Sequence, residues 1–233
     1  PIRPYLQLDV FADRPGAGNP LGVVFDAADM DSAAMQAYAA WANLSETIFF
    51  LPPTTPAADY RVRIFTPRQE LPFAGHPSVG AAWAALEAGL VLPREGSLVQ
   101  ECAAGLLPVR IEERNGLRVP HVRTPHASRL DAGDAHHIAV DVALQGLALG
   151  QLAPALGNNG PNWWLVELAD DDAVRHMQPD LAAIAALTMV SHAVGLAVFG
   201  TTRIVFDEDI RGVFAGDTEA YRNYVFVTDE FAD

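Results

Sequence analysis

The sequence predicts an α+β fold with mostly antiparallel sheets. Segments in which apolar and polar residues alternate outnumber the segments with helical spacing, and short turns join many of them. The 18 glycines and 17 prolines are spread along all 233 residues and do not gather in one linker. This distribution is typical of a compact protein with many turns.

Four segments in the first half have the pattern of strands. Residues 5–11 and 60–65 alternate apolar and polar side chains, and residues 21–25 and 47–51 are short apolar runs. A helix is predicted between residues 25 and 47, because Asp31 offers an N-cap and apolar residues follow it at helical spacing.

Residues 77–86 form the clearest predicted helix. Pro77 suits the first helical position, and an alanine-rich run follows it without a breaker until Gly89. Because this segment is apolar nearly all round, we expect it to be buried within a sheet or barrel.

The second half repeats the mixture of elements. Residues 107–111, 163–168 and 195–199 have strand patterns, and a helix is predicted from residue 179 to residue 187. We place a boundary at the polar turn near residues 113–116, which gives two halves, 1–115 and 116–233.

Charge and composition exclude several functions. The formal net charge is −14, and no basic cluster offsets it, so nucleic acid and anionic membranes are poor partners. All 15 basic residues are arginines, which excludes lysine Schiff-base chemistry. Apolar stretches are too short to cross a membrane, and no signal-peptide pattern precedes the first strand. With Cys102 as the single cysteine, we expect a soluble cytoplasmic protein without an internal disulfide.

Metal binding is not predicted. The neighbouring His136 and His137, read as part of a strand, would point to opposite faces. The acidic run at residues 170–172 lacks the spacing of a calcium loop and reads as a solvated loop before a helix.

The start of the predicted helix is a candidate anion site. A proline at the first position would leave the next amides unpaired at the positive end of the helix, where small residues admit a ligand. The alternative is a buried helix start that a neighbouring loop caps. The candidate residues are Gly75, His76, Ser78, Val79 and Gly80.

Three further polar residues have two interpretations each. The ring of His76 is either a ligand-binding or acidic group beside that helix start, or a structural or exposed side chain. Glu46, at the start of an apolar strand, is either a desolvated general base or a solvated strand-end charge. Asn19, in the turn before residue 21, either lines a pocket or only forms the turn.

Together these segments resemble the phenazine-biosynthesis-like (PhzF-like) family. The order and spacing of the motifs are specific over the first hundred residues, and the similarity continues more weakly through residues 163–168 and 179–181. The motifs are Asp9-Val10-Phe11, Gly18-Asn19-Pro20 with residues 21–25, Asn43-Leu44-Ser45-Glu46-Thr47, Arg63-Ile64-Phe65-Thr66-Pro67, and Glu70-Leu71-Pro72-Phe73-Ala74-Gly75-His76-Pro77.

The resemblance implies a diaminopimelate-epimerase fold. Such a protein has two similar halves, each a curled, mostly antiparallel sheet around a central helix, with the site in the cleft between them. It implies an isomerase without metal or organic cofactor, commonly a homodimer, that acts on a small anionic metabolite. Glu46 would be the acid/base, while His76 and the amides after it would hold the substrate.

The second half departs from the family pattern. The stretch E-D-P-x-T-G-S-A, which would open a second central helix and supply a second acid, is not found. At the corresponding place the chain reads Gly216-Asp217-Thr218-Glu219-Ala220, so Asp217 is either a relic of that acid or a turn residue. We therefore expect the second half to be shortened or divergent.

Three functions remain open at this point. The first is a working isomerase that uses Glu46, and the second is a non-catalytic relative that binds a small anion or a protein partner. The third is an oligomeric structural protein whose apolar surplus, including Trp163 and Trp164, forms an interface.

Overall fold

A computed structural model describes residues 2–12, 16, 18–114, 116–131, 133–159, 161–191 and 195–199. The chain divides into two compact units, with the division after Pro125. This lies ten residues beyond the boundary that we placed near residue 115, because the strand after that turn pairs along its length with the strand before it.

The first unit is built on an eight-stranded sheet with two helices. The strands follow the order β1-β2-β3-β4-β6-β7-β8, and β5 pairs with β4. The strands are β1 (Tyr5–Val10), β2 (Asn19–Val24), β3 (Glu46–Leu51), β4 (Tyr60–Phe65), β5 (Glu70–Leu71), β6 (Ser97–Cys102), β7 (Gly105–Arg114) and β8 (Leu117–Val122), and the helices are α1 (Ser32–Ala42) and α2 (Gly75–Glu87).

Most strand pairs in this sheet are antiparallel, as predicted. Two pairs are parallel, β2 with β3 and β4 with β6, so the sheet is mixed. Helix α2 contacts both β1 and β8, the two ends of the strand order, as well as strands between them. The sheet therefore curls around α2, and the predicted α+β fold with a central helix is confirmed.

Small residues let α2 lie close to the sheet. Ala81, Ala82, Ala84 and Ala85 are fully buried. A Cβ atom at Gly80 would overlap Cδ2 of Leu21 on β2, so only glycine fits there without a shift of the core. The prediction of a buried, nearly all-apolar helix is confirmed.

The start of α2 differs from the prediction. The helix begins at Gly75 after an extended Ala74, so Pro77 is its third residue. The amide of Ser78 donates to the carbonyl of Ala74 at 3.2 Å, which makes it the first bonded amide of the helix. Proline is compatible with this position because none of the first-turn amides has a partner within a helix.

Helix α1 has a polar residue at each end, and the one at its N-terminus is the predicted cap. Asp31 Oδ1 accepts from the amide of Ala34 at 2.8 Å, which confirms the predicted N-cap. At the other end Asn43 takes the left-handed conformation (φ 50°, ψ 35°), and its amide donates to Ala39. Asparagine tolerates this conformation, so it stops the helix just before β3.

The second unit contains a four-stranded sheet in the order β12-β11-β10-β9. Neighbouring strands are antiparallel except for β11 with β12. Its elements are β9 (Ser128–Leu130), α3 (Gly133–Ala143), β10 (Ala155–Asn158), β11 (Asn162–Glu167), α4 (Asp171–His176), α5 (Leu181–Ser191) and β12 (Gly195–Phe199).

Three expectations for this unit change. His136 and His137 lie in α3 and not in a strand. Trp164 is fully buried with Val140, Leu144 and Leu187 in the core of the unit, so it is unavailable for an interface. The acidic run is the N-terminus of α4, where Asp170 Oδ1 accepts from Ala173 at 2.7 Å.

Candidate active site

Glu46 is the first residue of β3. Its strand runs parallel to β2, where its partner in register is Leu21. The side chain is 15% exposed, and its Oε2 atom lies 3.2 Å from Nε2 of His76 on α2. The interpretation of Glu46 as a solvated strand-end charge is therefore wrong.

Local structure explains why Glu46 sits there. The hydroxyl of Ser45 lies 2.9 Å from both Asn19 Oδ1 and the carbonyl oxygen of Pro20, to which it can donate. The buried Thr47 fits against Gly22, where a Cβ atom would come within 3.1 Å of the threonine hydroxyl. Ser45 and Thr47 thus fix the backbone on both sides of Glu46.

His76 is the second residue of α2, and its side chain is 10% exposed. Its Nδ1 atom lies 3.1 Å from Nδ2 of Asn19. The ring is thereby placed between an amide on one side and the carboxyl group of Glu46 on the other.

The contact between Glu46 and His76 is not a complete hydrogen bond. Glu46 Oε2 and His76 Nε2 are both buried, and neither makes a hydrogen bond of acceptable geometry to the part of the chain that the structure describes. Buried polar atoms are nearly always hydrogen-bonded in native proteins. Two such atoms facing each other point to a site that binds a further polar group.

Burial shifts both groups toward their neutral forms. It raises the pKa of Glu46, against a smaller opposite effect of the hydrogen bond from Ser45. It lowers the pKa of His76 to about 4, against an opposite effect of the Pro20 carbonyl. His76 is therefore a neutral imidazole at pH 7, and the pKa of Glu46 moves toward the range that suits a general base.

Asp9, near the end of β1, binds the backbone of Gly16 and Gly18, which come shortly before Asn19 in the chain. The two carboxylate oxygens of Asp9 accept from the amides of Gly16, at 2.5 Å, and Gly18, at 3.0 Å. A Cβ atom at Gly18 would overlap the carbonyl oxygen of Val10. Sequence reasoning missed Asp9 and Ser45 as site residues, although both lie in the motifs that carry the family resemblance.

The helix start offers different amides from those predicted. Ala74 has no side-chain cap, so the amides of Gly75 and His76 are the first-turn amides without a partner within the helix. No atom lies within 4 Å of a Cβ built on Gly75, so the space beside it is open.

The other three candidate residues on α2 make contacts within the protein. The Ser78 hydroxyl is fully buried and accepts from Gln100 Nε2 at 2.9 Å, Val79 is half-buried inside the helix, and Gly80 packs against Leu21. The structure thus brings together Asn19, Glu46, His76 and Gly75, while Asp217 lies outside the described residues.

The described residues contain neither a membrane-spanning helix nor a metal-binding cluster. No helix among them has the length and hydropathy that crossing a bilayer requires. Nor do three or more histidine, cysteine, aspartate or glutamate side chains in that part of the chain form a group able to hold a metal ion.

Comparison with known proteins decides the family. The family model described as phenazine biosynthesis-like protein matches residues 8–207, most of the chain. The protein belongs to this family. The predicted resemblance is thus confirmed, and the curled sheet around α2 is the fold that it implied.

Named relatives include isomerases. The chain is 36% identical over 186 residues to trans-2,3-dihydro-3-hydroxyanthranilate isomerase of Pseudomonas aeruginosa, covering 77% of this chain and 62% of the relative. It is 35% identical over 201 residues to Antisense-enhancing sequence 1 of Schizosaccharomyces pombe, covering 84% and 68%.

Solved structures of the family agree. The crystal structure of the Bacillus anthracis phenazine biosynthesis protein of the PhzF family is similar at a TM-score of 0.65 and 29% identity. That match covers 88% of this chain and 68% of the other. The chain thus spans about two thirds of the length of the relatives that it matches.

Proposed function

We propose that this protein is a cofactor-independent isomerase that moves a proton on a small, carboxylate-bearing metabolite, with Glu46 as the general acid/base. One observation carries the proposal. The buried Oε2 of Glu46 faces the buried Nε2 of His76 at 3.2 Å, and neither atom is satisfied by the described part of the protein.

The proposed isomerisation requires only a group that accepts a proton from one carbon and returns it to another. The ionised Glu46 takes a proton from a carbon beside a double bond, and the electron pair of that C–H bond moves into the neighbouring π system. The protonated Glu46 then returns the proton to the far carbon of the system. The product is an isomer, so no oxidant or further reactant is consumed. Burial supports this role because it makes the carboxylate more basic.

Substrate binding is proposed for the start of α2. The amides of Gly75 and His76 have no partner within the 13-residue helix and lie at its positive end, so they suit a carboxylate. The open space beside Gly75 leaves room for it, and no lysine is needed. The ring of His76 would complete the contact.

Five finer features are proposals. We propose Asp217 as the second acid, and Asn19, Ser78, Val79 and Gly80 as supports of the substrate site. We also propose that the protein works without metal or organic cofactor, as a homodimer in the cytoplasm.

The test uses the relative's substrate as a probe. The full chain is incubated with trans-2,3-dihydro-3-hydroxyanthranilate in D₂O, and NMR follows isomerisation and deuterium uptake at carbon. We expect uptake with the wild type and its loss in Glu46→Gln. Glu113→Gln is the matched control, because Glu113 is an exposed glutamate on β7.

A non-catalytic relative would behave differently. If the probe binds, as chemical-shift changes show, but neither protein exchanges deuterium, the catalytic proposal is wrong and an anion-binding protein remains. Loss of turnover in Glu46→Gln with unchanged probe affinity supports the isomerase.

A further inference from the structure

The amide group of Asn19 lies between Ser45 and His76. Its Oδ1 atom is 2.9 Å from the Ser45 hydroxyl, and its Nδ2 atom is 3.1 Å from His76 Nδ1. We infer that Asn19 is a positioning residue that holds His76 in the tautomer with its ring proton on Nε2. The consequence for catalysis rests on the proposed function, while the tautomer itself does not.

The direction of the hydrogen bonds gives the tautomer. The Asn19 amide has its Oδ1 toward the Ser45 hydroxyl at 2.9 Å and its NH₂ end toward the ring at 3.1 Å. An amide NH₂ only donates, so His76 Nδ1 accepts with its lone pair. Because the pKa of His76 is lowered to about 4, the ring is neutral at pH 7 and has one proton, which must then be on Nε2.

A second group near the ring favours the opposite tautomer. The carbonyl of Pro20 acts on His76 as a hydrogen-bond acceptor, which raises the pKa of the ring. Since Nε2 makes no hydrogen bond to the described residues, this carbonyl acts on the Nδ1 side. Asn19 and Pro20 therefore compete for Nδ1, and the Asn19 donor decides whether that atom carries a proton.

The tautomer determines what Glu46 faces. With the proton on Nε2, the ring has an N–H dipole beside Glu46 Oε2, 3.2 Å from Nε2 though without hydrogen-bond geometry, and this favours the ionised carboxylate that can act as a base. With the proton on Nδ1, a lone pair would face the carboxylate and disfavour its charge. Asn19 would thus act on the reaction through His76 without touching the reacting atoms.

The test reads the ring directly. Long-range ¹H–¹⁵N NMR of the full chain at pH 8 distinguishes the two tautomers, and the His76 signals are identified by their loss in His76→Gln. We expect the Nε2–H tautomer in the wild type. Asn19→Asp keeps the size of the side chain but only accepts, so we expect it to switch the ring to Nδ1–H. Glu113→Gln, at an exposed position on β7, is the control and should retain Nε2–H.

The outcomes separate this inference from the proposed function. A wild-type ring with its proton on Nδ1 overturns the inference, whether or not the protein turns over any probe. So does an Asn19→Asp variant whose tautomer is unchanged. Where turnover is found, we expect Asn19→Asp to lower kcat by about tenfold or more, because an Nε2 lone pair would then face the carboxyl group of Glu46.

Discussion

The Nε2 atom of His76 lies 3.2 Å from the Oε2 atom of Glu46, although the two residues come from different elements, α2 and β3. Both atoms are buried, and neither has a hydrogen bond within the described residues. Burial raises the pKa of Glu46 and lowers that of His76 to about 4, so the imidazole is neutral at pH 7 and the two groups do not form a structural ion pair.

Removing the acid should abolish turnover and leave the fold intact. We expect Glu46→Gln to lower the rate of proton transfer by about 10²- to 10⁴-fold, the usual contribution of a general acid/base. The variant keeps the size of the side chain and removes a buried charge, so thermal unfolding should show no loss of stability at pH 7. A variant with full activity would contradict the assignment.

The stability of the wild type relative to Glu46→Gln should depend on pH in one direction. The pKa of Glu46 is raised in the folded protein, so the folded state holds its proton longer than the unfolded state does. The stabilisation from the neutral acid is complete below the unfolded pKa and is lost as the pH rises through the folded pKa. Denaturant unfolding of both proteins from pH 4 to pH 8 measures this. A difference that does not change with pH would argue against a buried Glu46.

His76 should have the opposite effect. Its pKa is about 4 in the folded protein against an ordinary histidine value of 6.5, so the unfolded chain takes up the proton first. The wild type should lose up to about 3 kcal/mol relative to His76→Gln as the pH falls from 7 to 4. Equal acid sensitivity of the two proteins would show that His76 is solvated.

Two glycines of α2 provide a matched pair. Gly80→Ala should destabilise the protein by about 1 to 3 kcal/mol, because the added methyl group overlaps Leu21 in the core. Gly75→Ala should leave stability nearly unchanged, because nothing lies within 4 Å of the added atom. If the open space is the substrate site, Gly75→Ala should still weaken probe binding, which titration followed by NMR would measure. Equal effects of both variants on stability would contradict the packing described for α2.

A buried polar network should support the start of α2. Gln100 is fully buried on β6, donates to the Ser78 hydroxyl at 2.9 Å and accepts from the Tyr60 hydroxyl at 3.3 Å. Gln100→Leu leaves both hydroxyls buried without that partner, so we expect a loss of about 2 to 4 kcal/mol. Gln145→Leu, at an exposed position, is the control and should change the free energy of unfolding by less than about 0.5 kcal/mol.

Local patterns in the sequence determined most of the elements. Alternation of apolar and polar residues predicted the strands near residues 5–11 and 60–65, and Asp31 predicted the start of α1, because these signals act over a few residues. Motif order predicted the family, and it selected Glu46 and His76 from a chain with 29 acidic residues and 7 histidines.

Tertiary structure decided what those residues can do. Asn19, Ser45, Glu46 and His76 meet because β2 and β3 are neighbours and α2 begins beside them, and no spacing in the sequence encodes that contact. Residues far away in the chain bury Glu46 and His76 and thereby shift their pKa values. Residues distant in sequence also bury Trp164. The first residue of α2 could not be predicted from the local sequence, because Pro77 is compatible with any first-turn position. The extended backbone of Ala74 sets Gly75 as the first helical residue.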